Sequence, residues 1–252
     1  QTNQPVTTLV TECLDAQKDW RGLQVFVEPQ YWGELEFLRH AFRTRALRGQ
    51  NLDGAAKGEW ELTLRLANRQ KAALTMLLSL TAQWQWRTEV EDILWAIVNR
   101  YPGEKQAVET LSRALYLGGR TRSLMTLFSQ QLKLHPSDLG LKNNLAATAL
   151  LLDASEFKPH ELAREVYEKA PDNPSFASTY AFSLHVQKKD AEAIKVMQKI
   201  PLSELEKPTI AGYYALVLKA TGENAKAMTF LESAFKIPIL TEERKMFERA
   251  KA

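Results

Sequence analysis

The strongest constraint on this chain is a set of residues that return every 34 positions. Trp60, Leu94 and Phe128 are bulky, apolar and 34 apart. Ala56, Val90 and Leu124 keep the same interval one helical turn earlier, Leu77, Leu111 and Leu145 keep it again, and Pro102 and Pro136 share it. Four columns in one register do not arise from unrelated segments. A fixed period of roughly 20–50 residues marks a supersecondary unit that cannot bury its apolar face alone and must stack on its neighbours. The pattern specifies a scaffold far better than it specifies a chemistry.

The unit is helical. Gly (11) and Pro (10) are sparse in 252 residues, and β-branched alternation is nearly absent. With 45% hydrophobic residues the chain can build a core and is not disordered. Its 33 basic and 30 acidic residues are interspersed, giving a net charge of +3. A nucleic-acid binder would gather its basic residues on one face, so no nucleic-acid partner is expected. No apolar run reaches the length of a membrane-spanning helix. The first residue is Gln, with no charged-then-apolar leader after it. This reads as a segment of a longer protein, with the cytoplasm favoured and an upstream anchor or signal in the parent left open.

Taken in order, residues 6–18 form a helix with Val6, Leu9, Val10, Cys13 and Leu14 at helical spacing. The single cysteine, Cys13, reads as a small buried hydrophobe. Residues 19–22 form a turn. Residues 23–27 alternate, but a lone strand would have no partner, so a short helix is expected. Residues 32–48 are a helix with a buried stripe of Leu35, Leu38, Ala41, Phe42 and Ala46. Arg43, Arg45 and Arg48 at its end read as a solvated cluster that complements the helix dipole. Residues 49–54 are a loop, and 55–67 are a helix with Ala56, Trp60 and Leu64 inward.

Paired helices follow at 71–83 with 87–100, and at 104–117 with 122–134. Each second helix ends just before a Pro, which cannot continue the hydrogen-bond ladder. Residues 138–152 open the next pair, with a longer loop at 153–159 and an early closing turn at 170–174. The register then takes one step of 35, from Leu145 to Tyr180. It resumes at 34 in Tyr180/Tyr214, Ala181/Ala215, Leu184/Leu218 and Ala193/Ala227. Those pairs are 174–187 with 190–199 and 207–221 with 224–236. Thr241 caps a last helix to about residue 250, with Glu242 and Glu243 in its first turn. Its Arg, Lys and Glu residues read as a polar end cap.

Helix pairs of this period, with small residues at helix crossings and Pro at the close, resemble the tetratricopeptide repeat. The best matches are Leu77 to Pro102, Leu111 to Pro136 and Ser178 to Pro201, and Lys219 to Ala227 is close to the family's inter-helix turn. Lys188 departs from the pattern, standing where a turn Gly is common. The resemblance implies one all-α domain over residues 1–252. It would be a right-handed α-solenoid of about seven stacked antiparallel hairpins. Residues 1–69 would be degenerate repeats, 70–237 well-matched ones and 241–251 a capping helix.

Chemistry is harder to find. His40, His135, His160 and His185 include no pair at the i, i+4 spacing of a helical metal site, and Cys13 stands alone, so no metal is expected. His135 and His160 read as turn residues. No phosphate loop, nucleophile elbow or dinucleotide motif is present. Gly118-Gly119 before Arg120 falls where the repeat needs a turn. The carboxylates fall on helix surfaces without distinctive pairing. Trp60 and Trp95 read as core, and Trp84 and Trp86 as packing into a hairpin junction. No catalytic constellation and no cofactor are expected.

The resemblance places the first helix of each pair along a concave groove. The face of those helices away from the packing columns carries Arg113, Tyr116, Asn143, Phe182, His185 and Lys219. Aromatics mixed with hydrogen-bonding groups suit an extended peptide or a helix. The clamp by which some relatives hold acidic tails does not carry over: Asn143 and Asn144 are present, but Glu109, Ser175 and Thr179 occupy the matching positions. The expectation is a non-enzymatic scaffold for another protein or peptide. The alternative is a regulatory or targeting domain of a larger, membrane-tethered protein.

Overall fold

The structure is a computed structural model and describes residues 4–251. Among these residues it contains α-helices, two short 3-10 turns and no strand. The hairpins are α1 (Gln4–Ala16) with α2 (Trp20–Val27), α3 (Glu36–Gly49) with α4 (Asp53–Ala67), and α5 (Lys71–Gln83) with α6 (Arg87–Arg100). They continue with α7 (Lys105–Leu117) and α8 (Thr121–Leu134), α9 (Leu139–Leu151) and α10 (Pro159–Lys169), and α11 (Pro174–Val186) and α12 (Asp190–Met197). A single turn, α13 (Leu202–Leu205), leads to α14 (Pro208–Ala220) with α15 (Asn224–Ala234), and α16 (Thr241–Lys251) closes the chain. The all-α hairpin array read from the 34-residue register is present. Most helix ends fall within a few residues of those expected.

The hairpins share one way of turning. After each first helix, one residue adopts a left-handed backbone: Lys18, Asn51, Gln85, Gly119, Asp153, Lys188 and Gly222 have φ between 53° and 90°. The next residue donates its amide to the carbonyl five positions back, as in Asp19 to Leu14, Trp86 to Thr81, Lys189 to Leu184 and Glu223 to Leu218. This left-handed cap satisfies carbonyls that the helix end leaves open. The seven turn residues are 33, 34, 34, 34, 35 and 34 apart. The turns therefore carry the register through the first hairpins as well. Glycine occupies only two of them, which is why the sequence marks the others weakly. Lys188 takes the same conformation as the glycines.

The chain forms two compact units, residues 1–111 and 112–252. In the first, Phe37, Ala41, Trp60, Leu74, Leu77, Ile93 and Ile97 form one buried cluster. The expected core residue Trp95 is only half-buried. Trp84 and Trp86 pack into the junction as expected: their rings are 4.8 Å apart, Trp84 meets Phe42 at 5.4 Å and Trp86 meets Trp60 edge-on at 6.3 Å.

The arginines of α3 are not a solvated cluster. Arg43 pairs with Glu28 at 3.0 Å and with Glu59 at 3.4 Å. Arg45 pairs with Asp15 and lies over the rings of Trp20 and Trp84. Arg48 pairs with Glu89 and lies over Trp86 at 4.1 Å. Glu89, expected on a surface, is 5% exposed. Each guanidinium joins a neighbouring hairpin to α3 by an ion pair, two of them with an aromatic stack. Their partners lie 15 to 41 residues away, beyond any local pattern. Beside them, His40 is buried against Glu59 and within 2.9 Å of Arg39. Glu36 is raised by burial, but Arg39, the Trp32 amide and His40 hold its carboxyl below the usual value overall.

The N-terminal stripe also differs from expectation. The side chain of Val6 lies outside the described residues. Leu9 and Cys13 are exposed, so Cys13 is not a buried hydrophobe. Thr7 and Thr11 are buried instead, with the Thr11 hydroxyl donating to the Thr7 carbonyl at 2.7 Å. Residues 19–22 are not a separate turn: Asp19 caps α2 by accepting from the Gly22 amide, and the helix begins at Trp20.

In the second unit, Ala177, Ala181, Leu184, Ala193, Met197, Ile210 and Val217 form the core between α11, α12 and α14. Small residues let the helices approach closely, as the repeat requires. Residues 153–159 are ordered: Ser155–Phe157 form a 3-10 turn, Lys158 is left-handed and Pro159 starts α10.

Candidate functional site

The surface of interest lies in the second unit, on the first helices of its hairpins. α9, α11 and α14 bring Leu150, Phe182, Leu216 and Leu218 into one apolar cluster, and Phe247 of α16 belongs to the same cluster. The last helix is therefore not a polar end cap. It is amphipathic and lies against the face where a partner was expected.

Its seating is specific. The Phe247 ring rests on Gly212 in α14, where a Cβ would lie 2.3 Å from the ring. Tyr213 stands edge-on to it at 5.7 Å and Phe235 at 6.3 Å, and Phe182 meets Tyr213 at 4.8 Å. One turn before Phe247, the buried Glu243 carboxylate accepts from the Tyr213 hydroxyl and from the Leu240 amide. The second bond is half of a capping box: a Glu in the first turn reaches back to the amide that precedes the helix. At the start of α16, Thr121 donates to Glu242, and a Cβ on Gly119 would meet Thr241 at 3.1 Å. At its end, Lys219 donates to the Ala250 carbonyl.

Burial raises the Glu243 carboxyl above the usual carboxylate value. Tyr116 is pushed up to about 12 by burial and by the nearby Glu243 charge. Tyr213 is raised further, by burial and then by Glu243. Each proton is held where its loss would leave a charge in an apolar setting.

The six residues singled out from the sequence fall into three groups. Tyr116, Phe182 and Lys219 are at the α16 site, though Phe182 is core, at 2% exposure, rather than an open contact. Asn143 is buried on α9, and its side-chain oxygen has no hydrogen-bond partner among the described residues. Arg113 is exposed on α7, and His185 pairs with Asp190 at 2.5 Å across the α11–α12 turn. Glu243, Phe247, Gly212 and Tyr213 were not singled out. The Gly in mid-helix and the Phe amid charges were the available signals.

A cleft of about 240 Å³ beside residues 153–161 is lined by Asp153, Ser155, Lys158, His160 and Glu161. His160 is not merely a turn residue, since its Nδ1 lies 2.8 Å from the Ser183 hydroxyl of α11. Ser183 is fully buried, so this pair joins α10 to α11 rather than facing a substrate. Among the described residues no group of three or more His, Cys, Asp or Glu is placed to hold a metal, and no helix is long and apolar enough to cross a membrane.

No family model and no curated protein matches the chain. Among solved structures it is similar to a tetratricopeptide repeat protein from Parabacteroides merdae, at 10% identity and a TM-score of 0.48 over 98% of each chain. It is also similar to a thermophilic tetratricopeptide repeat protein of Thermus thermophilus, at 12% identity and a TM-score of 0.47 over 72% of this chain and 99% of that one. The fold is tetratricopeptide-like on the chain's own terms, through hairpins closed by one left-handed turn at a near-constant interval.

Proposed function

We propose that this protein is a non-enzymatic interaction scaffold that binds a helical segment of another protein on the first-helix face of residues 112–252. The observation that supports the reading is α16, which lies on this face through an aromatic anchor and a few polar bonds. Tyr116, Phe182 and Lys219 form the seat, Asn143 is buried beside it in the register, and Arg113 and His185 flank it. An aromatic pocket with convergent hydrogen-bonding groups suits helix-in-groove recognition.

The test is site-specific photocrosslinking of the full chain in its native cells. A crosslinker at Arg113 or Tyr116 is expected to trap a partner that the same group at exposed Lys195, on α12, does not. The trapped protein, once purified, is expected to bind the wild-type chain and to lose affinity for Tyr116→Ala. Identical adducts from both faces would refute the assignment of the binding face.

A further inference from the structure

α16 has features of an occupant as much as of a structural element. Only two of its side chains, Glu243 and Phe247, are buried. The others exposed or half-exposed include Glu242, Arg244, Lys245, Glu248 and Arg249. Residues 235–240 before α16 contain no helix, so it is joined to α15 by an irregular connection. Met246 and Ala250 are half-buried against the same cluster, so one face of α16 is packed and the other lies in solvent, and an element so exposed belongs to the low-stability end of a fold.

The seat, by contrast, is built for an aromatic ring. Gly212 is buried inside α14 without a left-handed backbone, so its conformation does not call for glycine. Glycine in a helix interior weakens the helix. What it provides is room: any side chain there would occupy the volume of the Phe247 ring. The Tyr213 hydroxyl, 30 residues from Glu243 in sequence, is presented to a carboxylate one turn before that ring.

Resting on the scaffold reading above, we infer that α16 is a built-in competitor for the first-helix face, and that the partner replacing it is a helix carrying a carboxylate and, four residues later, phenylalanine. The partner's carboxylate takes the Tyr213 hydroxyl and its ring takes the Gly212 seat. The chain then binds only when the partner outcompetes its own helix. If α16 is docked nine-tenths of the time, apparent affinity falls about tenfold, because only the undocked fraction is competent.

The experiment uses the full chain and a fluorescein-labelled peptide of the sequence of residues 240–251, followed by anisotropy. Phe247→Ala in the chain empties the seat and is expected to raise peptide affinity about tenfold or more over wild type. Gly212→Ala fills the seat and is expected to abolish peptide binding, although it too releases α16. Peptides carrying Phe247→Ala or Glu243→Ala are expected to bind the Phe247→Ala chain about tenfold or more weakly than the native peptide. Circular dichroism verifies the fold of each variant. If Phe247→Ala does not fold, Glu243→Arg, which removes both the Leu240 cap and the Tyr213 bond that hold α16, serves in its place. Equal affinity of the wild-type and opened chains, or equal binding of the peptide lacking Phe, overturns the inference. A crosslinked partner on the Arg113 face with no peptide binding would sink this inference and leave the scaffold reading standing. Ordered peptide binding with identical adducts from both faces would do the reverse.

Discussion

The left-handed turn residues give a direct test of how the register is built. Lys188 and Gly222 close successive hairpins in equivalent positions, with φ of 64° and 90°. A left-handed conformation costs a residue with a Cβ about 1–2 kcal/mol. Glycine avoids that cost but gives up about 0.4–1 kcal/mol through the larger freedom of its unfolded chain. Lys188→Gly should therefore stabilise by about 0.5–1 kcal/mol. Gly222→Lys should destabilise by a similar amount or slightly more, since its φ lies further from the left-handed minimum. No atom approaches a Cβ built on Gly222, so steric collision does not confuse the comparison. Urea unfolding followed by helical circular dichroism measures both, and the midpoint should move without a change in slope. The corresponding thermal shifts are about 1–4 °C in opposite directions. Shifts of the same sign, or no shift for Gly222→Lys, would refute a shared turn geometry as the element that sets the interval.

Three further outcomes follow from packing and charge. Trp60→Ala removes a buried ring that also donates to Asp92 at 3.1 Å, and should cost about 3–5 kcal/mol in unfolding of the first unit; a thermal shift under about 2 °C would contradict its place in the core. Arg48→Met strands the buried Glu89 carboxylate and should cost about 2–4 kcal/mol in urea unfolding, most of it recovered by adding Glu89→Leu. Because burial raises Glu243, docked α16 binds a proton more readily than released α16; docking should be strongest below the ordinary value of 4.5 and weaken as pH rises through the docked value. Anisotropy of a dye at the C-terminus, compared between wild type and Glu243→Gln, measures this, and the substitution should flatten the pH dependence.

What was legible in the sequence follows from locality. A helix repeats its faces every three or four residues, and a stacked hairpin repeats its contacts every 34, so Trp60, Leu94 and Phe128 announce helix and register together. The exact bounds of α5 and α6 were readable because Pro102 and a polar turn frame them. Tyr116 and Lys219 fall on the first-helix face for the same reason: their position in the repeat decides which way they point.

The remainder depended on which distant groups meet. Arg45 looks like a dipole-matched helix end until Asp15, Trp20 and Trp84 converge on it. Cys13 has apolar neighbours in sequence, yet those neighbours do not cover it. Lys188 supports a glycine-like turn because the cap hydrogen bonds outweigh its backbone cost. Above all, α16 reads as a polar cap because its charged residues outnumber Met246 and Phe247, although these two lie on one face. The hairpins, their interval and the orientation of their first helices follow from local periodicity and can be read without coordinates. That Gly212 and Tyr213 make a seat for Glu243 and Phe247 is a property of the packed molecule, because the seat exists once α14 and α16 are folded against each other.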